Sequence, residues 1–149
     1  MQGVSDRIAL YDARGLRIAA FDVTSPRFLR DATELPVSTA PDVTERWKSR
    51  NSLIRRVFAV ANHLMTIHTL TVIGPGWQFG EQSQFAVYMN IHDLDGTGLV
   101  SDVRLPDLPV GRDAAHLYAI DYGAGGRRNG ADRLTLQRIP IVPGAAATR

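Results

Sequence analysis

The chain has 149 residues, of which 44% are hydrophobic and 21% are charged, a balance that excludes disorder over most of its length. It contains no cysteine, so disulfides, thiolate metal sites and cysteine nucleophiles are excluded. The formal net charge is only +2, and Lys48 is the only lysine. So small a charge gives no strong field toward nucleic acid. These properties predict a single soluble domain over residues 1–149.

The N-terminal part of the sequence predicts a β-hairpin. Two apolar, strand-like runs, residues 8–11 and 16–21, flank the sequence Asp12-Ala13-Arg14-Gly15. Aspartate favours the first position of a type I turn, and Gly15 can adopt the left-handed conformation that closes a bulged hairpin.

Residues 24–41 lack a regular apolar pattern and contain three prolines, Pro26, Pro36 and Pro41. Proline interrupts a β-ladder because it has no backbone N–H. We therefore expect an extended loop or arm, long enough to reach onto a neighbouring molecule.

One main helix is predicted over residues 43–65. Asp42 and Glu45 resemble a capping box at its start. The apolar residues that share one face at helical spacing are Val43, Trp47, Ile54, Val57, Phe58, Ala61, Leu64 and Met65. Asn51-Ser52 leaves open a division into two shorter helices.

After the helix, the apolar period changes from about 3.6 to 2, which is typical of strands. The strands predicted from this period are residues 66–73, 85–92, 99–105, 116–122 and 134–142. Short connections favour antiparallel pairing. The sequence thus predicts an α+β fold of order β-β-α-β-β-β-β-β, with one antiparallel, curved or barrel-like sheet of about seven strands packed on the main helix. Residues 143–149 are expected to form a flexible tail.

Three histidines, His68, His92 and His116, are candidate metal ligands. Each lies in or beside a predicted strand, and imidazoles that converge from neighbouring strands can hold zinc or iron. No His-x-His or His-Glu-x-x-His spacing supports the site, so ordinary structural roles are favoured. No cofactor is predicted.

The segment Asp93-Leu94-Asp95-Gly96-Thr97-Gly98 partly matches a calcium-binding loop. Its twelfth position is Arg104, where the pattern requires a bidentate glutamate, and predicted strands flank it. A β-turn rich in Asp and Gly is the favoured interpretation.

Four aromatic residues are candidates for contact with a ligand or a partner protein: Trp77, Phe79, Tyr88 and Tyr118. Trp77 and Phe79 lie in a glycine-rich loop, where they either anchor the loop or present a binding surface. Tyr88 and Tyr118 lie on predicted strands, where they could line a cavity between the sheet and the helix together with His92 and His116.

Four arginines are candidates for contact with phosphate or nucleic acid: Arg55, Arg56, Arg127 and Arg128. The helix cations spread over a wide arc, which favours a solvated face. The loop 123–130 lacks both the Walker and the dinucleotide pattern, which favours a hairpin tip. Nucleic acid is therefore not expected as the partner.

No motif is specific enough to name a reaction. The arm and the strand edges favour a non-enzymatic structural or assembly protein that oligomerises through sheet edges, as in a virus-like particle or a phage tail. We expect self-association or binding of another protein, in the cytoplasm or a virion. No membrane span or signal peptide is expected. Two alternatives stay open: a small-ligand-binding or metal-dependent enzyme, and a nucleic-acid-binding protein.

Overall fold

The computed structural model describes residues 7–31, 40–60, 62–76, 78, 84–121 and 135–141. Within these ranges the chain forms one helix and nine strands, which pair into three antiparallel sheets. One helix and antiparallel pairing are thus confirmed. The single curved or barrel-like sheet is wrong, because the strands divide into three open sheets of two, four and three strands. Two compact units are present, Met1–Leu105 and Pro106–Arg149.

The predicted hairpin is confirmed. Strands β1 (Arg7–Tyr11) and β2 (Arg17–Asp22) pair antiparallel with a bulge beside the turn. The Asp12 carboxylate accepts hydrogen bonds from the backbone N–H of Arg14, at 2.8 Å, and of Leu16, at 2.9 Å. Gly15 adopts a φ of +80°, as the bulged turn requires.

The segment 23–31 follows the hairpin and is bound to its own unit. Val23 is buried in an apolar cluster with Ile8 and Leu64. The backbone of Leu29 pairs with Ser52, through a 2.9 Å bond from the Ser52 N–H and a 3.0 Å bond to the Ser52 hydroxyl. Residues 24–31 of the predicted loop are therefore hydrogen-bonded to their own chain and contain no helix or strand.

The rest of the predicted arm, residues 32–39, lies outside the described residues. So do residues 143–149 of the predicted tail, and the expectations for both stay predictions.

The helix α1 (Pro41–Lys48) is much shorter than predicted. Its N-cap is Ala40, which makes no side-chain hydrogen bond, and proline occupies the first turn. Because Asp42 lies inside the helix and is not its N-cap, the predicted capping box is wrong. Glu45 pairs with Lys48 at 2.7 Å. The Asn51 side chain donates to the carbonyl of Trp47 at 3.0 Å, which helps to end the helix.

The remainder of the predicted helix forms strands β3 (Leu53–Val60) and β4 (His63–Val72). A bulge between Ile54 and Arg56 explains the misleading pattern. The extra residue brings Ile54 and Val57 to the same side of the strand although they are three positions apart. Three-residue spacing is also the spacing of a helix face, so the sequence period alone predicted the wrong element.

Strands β5 (Gln84–Asp93) and β6 (Gly98–Leu105) complete a four-stranded sheet of order β3-β4-β5-β6. Alternation along β4 and β5 puts one set of side chains on the same side as the 23–31 segment. We call this side the hairpin face, and its members on the two strands are Leu64, Thr66, His68, Leu70, Ala86, Tyr88, Asn90 and His92. The hairpin and the 23–31 segment cover it, with Phe21 against His92 and Phe28 against His68.

The second unit contains a three-stranded sheet of β7 (Pro109–Arg112), β8 (His116–Asp121) and β9 (Thr135–Pro140), in that order. The last two strands were predicted, and β7 was not, because proline and glycine interrupt its short sequence. No helix in the described ranges is long and apolar enough to cross a membrane.

Candidate functional site

The most distinctive feature of the hairpin face is a row of buried polar side chains. The row consists of His92, Thr66, Asn90 and His68, and each is 0% or 1% exposed. Thr66 Oγ1 lies 3.2 Å from His92 Nε2, and Asn90 Nδ2 lies 3.2 Å from His68 Nδ1. Buried polar groups are costly unless hydrogen-bonded, so these four residues, called the polar row below, constrain one another.

Asn90 is fixed from both sides. Its Oδ1 accepts a 2.7 Å hydrogen bond from the backbone N–H of Asp102. The amide nitrogen must therefore point the other way, toward His68, and it donates to Nδ1. His68 Nδ1 is then an acceptor without a proton, and the neutral imidazole carries its proton on Nε2.

The second histidine of the row is held differently. A hydrogen bond at the Gly96 backbone raises the pKa of His92, which requires the ring to donate there. The other nitrogen, Nε2, then accepts from the Thr66 hydroxyl. Because a hydroxyl can rotate and serve as acceptor, this contact tolerates either protonation state of His92.

Asp102 connects the polar row to the 23–31 segment. Its φ of +58° is positive, which is uncommon for a residue other than glycine. Its carboxylate accepts hydrogen bonds from the Ser25 hydroxyl, at 2.8 Å, and from the Arg27 N–H, at 3.1 Å. The strained backbone is thus stabilised by Asn90 on one side and by the 23–31 segment on the other.

The surroundings of His68 disfavour a charge on its ring. Phe28 meets the ring edge-on at 5.0 Å between centroids, and Tyr88 stacks on it at 5.4 Å. Burial lowers the pKa of His68 below its ordinary value of 6.5, against smaller opposite effects of the Arg27 backbone and Asp102. Burial likewise lowers the pKa of His92. Both rings are therefore neutral at pH 7.

One atom of the row is left unpaired. Nε2 of His68 is buried, and no acceptor among the described residues meets hydrogen-bond geometry with it, although the Arg27 backbone lies near enough to raise the pKa of the ring. Such atoms are rare in folded proteins, and each calls for an explanation.

The arrangement does not resemble a nucleophilic triad. A triad places histidine between serine and aspartate, whereas Ser25 bonds directly to Asp102 and His68 bonds to Asn90. The described contacts therefore give the Ser25 hydroxyl a carboxylate as its acceptor and not the imidazole of a triad.

Two of the predicted metal ligands, His68 and His92, lie apart on the same sheet. His92 lies opposite Leu64, four ladder positions from His68, which is roughly 13 Å along the strands. His116 belongs to the second unit. Nowhere in the described ranges do three His, Asp or Glu side chains come close enough to hold a metal ion.

The predicted calcium loop is a β-turn between β5 and β6. The Gly96 N–H donates to the Asp93 carbonyl at 3.0 Å, and the Thr97 N–H donates to the Asp95 carboxylate at 2.8 Å. The Asp93 carboxylate pairs instead with His63 at 2.8 Å. The two carboxylates thus serve separate structural contacts, as the turn interpretation requires.

The remaining predicted residues are dispersed. Arg55 and Arg56 lie on β3, not on a helix, and Arg55 donates to the Thr69 hydroxyl at 3.0 Å. The expected basic helix surface is therefore wrong for these two residues. Tyr88 and His92 are on the hairpin face, and Phe21 of the hairpin packs on His92. Trp77, Phe79, Arg127 and Arg128 lie outside the described residues.

The second unit has a polar cluster of its own at the turn before β8. The Asp113 carboxylate accepts hydrogen bonds from the Tyr118 hydroxyl, at 2.5 Å, and from the Ala115 and His116 N–H groups, at 2.7 Å each. The bond from Tyr118 is the main cause that holds the pKa of Asp113 far below its usual range. Two predicted site residues, His116 and Tyr118, therefore meet at an aspartate that the sequence did not mark.

This cluster predicts a measurable titration. The hydrogen bond to Asp113 raises the pKa of Tyr118 above its ordinary value of 10.0. We expect Asp113→Asn to move the Tyr118 pKa down toward 10.0, because the charged acceptor is lost. Arg138 acts in the opposite direction, so Arg138→Gln should raise the Tyr118 pKa further. NMR titration of the tyrosine rings measures both, and an unchanged Tyr118 pKa in Asp113→Asn contradicts the assignment.

Comparison with protein-family models, curated proteins and solved structures yields no match for this chain.

Proposed function

We propose that this chain is a non-enzymatic assembly protein that self-associates through β3, an edge strand among the described residues. The observation that supports it is the position of β3 at the end of the strand order, with a regular stretch from Arg56 to Val60. An edge strand presents unpaired backbone groups that can pair with a strand of another molecule. Val57, 44% exposed, and Ala59 offer small apolar side chains along that edge.

The opposite edge of the sheet is less suitable. Two register shifts interrupt the pairing of β6 with β5, and Asp102 has a positive φ. Bulges twist and disrupt an edge, which hinders the addition of another strand. The bulge of β3 lies at its start, before Arg56, and leaves the later residues regular.

The proposed occupant is a second copy of this chain. Antiparallel pairing of two β3 strands about Phe58 would place Val57 opposite Ala59 of the second copy, and Arg56 opposite its Val60. No like charges then face each other across the pair. Such two-fold pairing yields a dimer.

A larger assembly, such as a virus-like particle or a phage tail, would need a second contact surface. The hairpin has exposed apolar residues that could provide it, namely Tyr11, Leu16 and Ile18.

The test is the oligomeric state of two matched variants, measured by gel filtration with light scattering at high micromolar concentration. We expect a dimer or larger species for the natural chain. Val57→Lys should weaken association at least about tenfold, which corresponds to about 1.4 kcal/mol, because a charge then lies within the interface. Val72→Lys changes an equally exposed valine at the end of β4, away from the edge, and should associate as the natural chain does.

Two outcomes contradict the proposal. A monomeric natural chain at these concentrations overturns self-association altogether. Equal dissociation by both variants would show that the contact does not lie at the β3 edge.

A further inference from the structure

The link between the polar row and the 23–31 segment runs through three hydrogen-bonded steps. Asn90 donates to His68 and accepts from the Asp102 N–H. The Asp102 carboxylate in turn accepts from Ser25 and from the Arg27 N–H. Asn90 therefore holds the backbone conformation in which the Asp102 carboxylate points at the segment. The orientation of the Asn90 amide in turn requires that His68 Nδ1 carry no proton.

We propose that the polar row is an acid-sensitive latch, in which His68 holds the 23–31 segment on the sheet only while its imidazole is neutral. A proton added at Nδ1 would face the Asn90 amide nitrogen, so that two donors oppose each other 3.2 Å apart. Asn90 cannot relieve this by turning over, because its amide nitrogen would then face the Asp102 N–H. Among the described contacts, only an unprotonated Nδ1 satisfies both the Asn90 amide and the Asp102 N–H.

Protonation of His92 does not oppose two donors in this way, although His92 is as buried as His68. On gaining a proton it can donate to Thr66, whose hydroxyl rotates to accept. The two histidines therefore differ in their coupling to the segment and serve as a matched pair for experiment.

The charged and titratable groups around His68, within the described chain, do not remove the conflict. On β5, Tyr88 stacks on the ring, and on β6, Arg104 lies over Tyr88 at 5.3 Å from its centroid. Asp102 attracts a positive charge on His68, but burial has the larger effect and lowers the pKa of His68. From the 23–31 segment, the ring faces Phe28 and the Arg27 backbone.

The lowering of the His68 pKa by burial determines whether acid opens or closes the latch. Burial in the closed state lowers the pKa of His68 below its ordinary value of 6.5, and release of the segment, with Phe28 on it, removes part of that burial. The released state therefore binds the proton more readily, and the latch is fully closed above pH 6.5. Its closure is lost as the pH falls below 6.5 toward the lower pKa.

The experiment measures amide hydrogen exchange of the whole chain by NMR at about pH 7.5 and about pH 5.5, expressed as protection factors. Arg27 and Leu29 report on the segment, since their N–H groups donate to Asp102 and Ser52. We expect their protection factors to fall about tenfold from the higher to the lower pH. This is the factor by which protonation of a histidine with a pKa of about 6.5 favours the open state over that pH range. Their protection should stay below that of amides in the centre of β4 and β5, because the opening is local.

Two histidine variants separate the latch from general acid unfolding. His68→Asn keeps an acceptor at the Nδ1 position but does not titrate, so the tenfold fall at Arg27 and Leu29 should shrink to less than about twofold. His92→Gln should retain the full fall, because His92 stays buried when the segment opens. The latch is overturned if protection at Arg27 and Leu29 still falls tenfold in His68→Asn. It is also overturned if the pH dependence of that protection is lost equally in both variants.

Asn90→Asp gives an independent reading that does not depend on the folding of His68→Asn. Its carboxylate accepts from the Asp102 N–H and also from a protonated His68 Nδ1, while its shape matches asparagine. Protection at Arg27 and Leu29 should then be maintained or increased at the lower pH. The same tenfold fall as in the natural chain would overturn the proposal.

Discussion

Replacing Asn90 by leucine should lower the free energy of unfolding by about 3 kcal/mol or more, since two buried polar partners each lose their hydrogen bond at a cost of about 1–3 kcal/mol. The two partners are the Asp102 N–H and His68 Nδ1. Leucine is the apolar side chain closest in shape to asparagine, so the loss measures chiefly the polar contacts. Urea denaturation at about pH 7.5 followed by tryptophan fluorescence provides the measurement, because Trp47 belongs to the first unit.

Thr66→Val is the matched control for this prediction. It removes one hydrogen bond from the same row, that between the hydroxyl and His92, and keeps the shape of the side chain. We expect a loss of about 1–2 kcal/mol, smaller than that of Asn90→Leu, because only one partner is left unpaired. If Asn90→Leu unfolds with the same free energy as the natural chain, Asn90 does not hold Asp102 as described.

The contrast between these two residues shows what the sequence could reveal of the site. The two-residue period of a strand over residues 85–92 is enough to put Tyr88, Asn90 and His92 on one face, where the structure has them. It could not show that Asn90 lies opposite Thr66 and diagonal to His68, because register depends on how two distant strands pair. Asp102 gave no signal at all, since its role depends on a positive φ in a bulged strand.

The fold shows the same division between local and non-local information. The hairpin was predictable because Asp12 and Gly15 determine its turn within four residues. The segment 53–60 was not, because one bulge residue at position 55 gives a strand the spacing of a helix. Short-range chemistry therefore predicted the first hairpin and the regular strands, whereas the bulged strand and the division into separate sheets depend on tertiary contacts.

Replacing Gly96 by alanine should destabilise the chain by about 2–4 kcal/mol, through backbone strain and steric overlap together. Gly96 has a φ of +95°, which residues with a Cβ rarely adopt. A Cβ at this position would lie 2.5 Å from both Cβ and Cγ of Phe21, on the hairpin that covers the sheet. Phe21 in turn packs on His92, with 5.6 Å between the ring centroids, so the overlap cannot be relieved without disturbing the polar row.

Gly15→Ala separates the two causes. Gly15 also has a positive φ, of +80°, but the Cβ of an alanine there would meet no other atom within 4 Å. It should lose only the backbone contribution, about 1 kcal/mol. The difference between the two free energies of unfolding, from the same urea measurement, is then the cost of displacing Phe21. Equal losses in the two variants would mean that the hairpin moves away freely from the β5–β6 turn, and that the covering of the polar row is looser than the distances indicate.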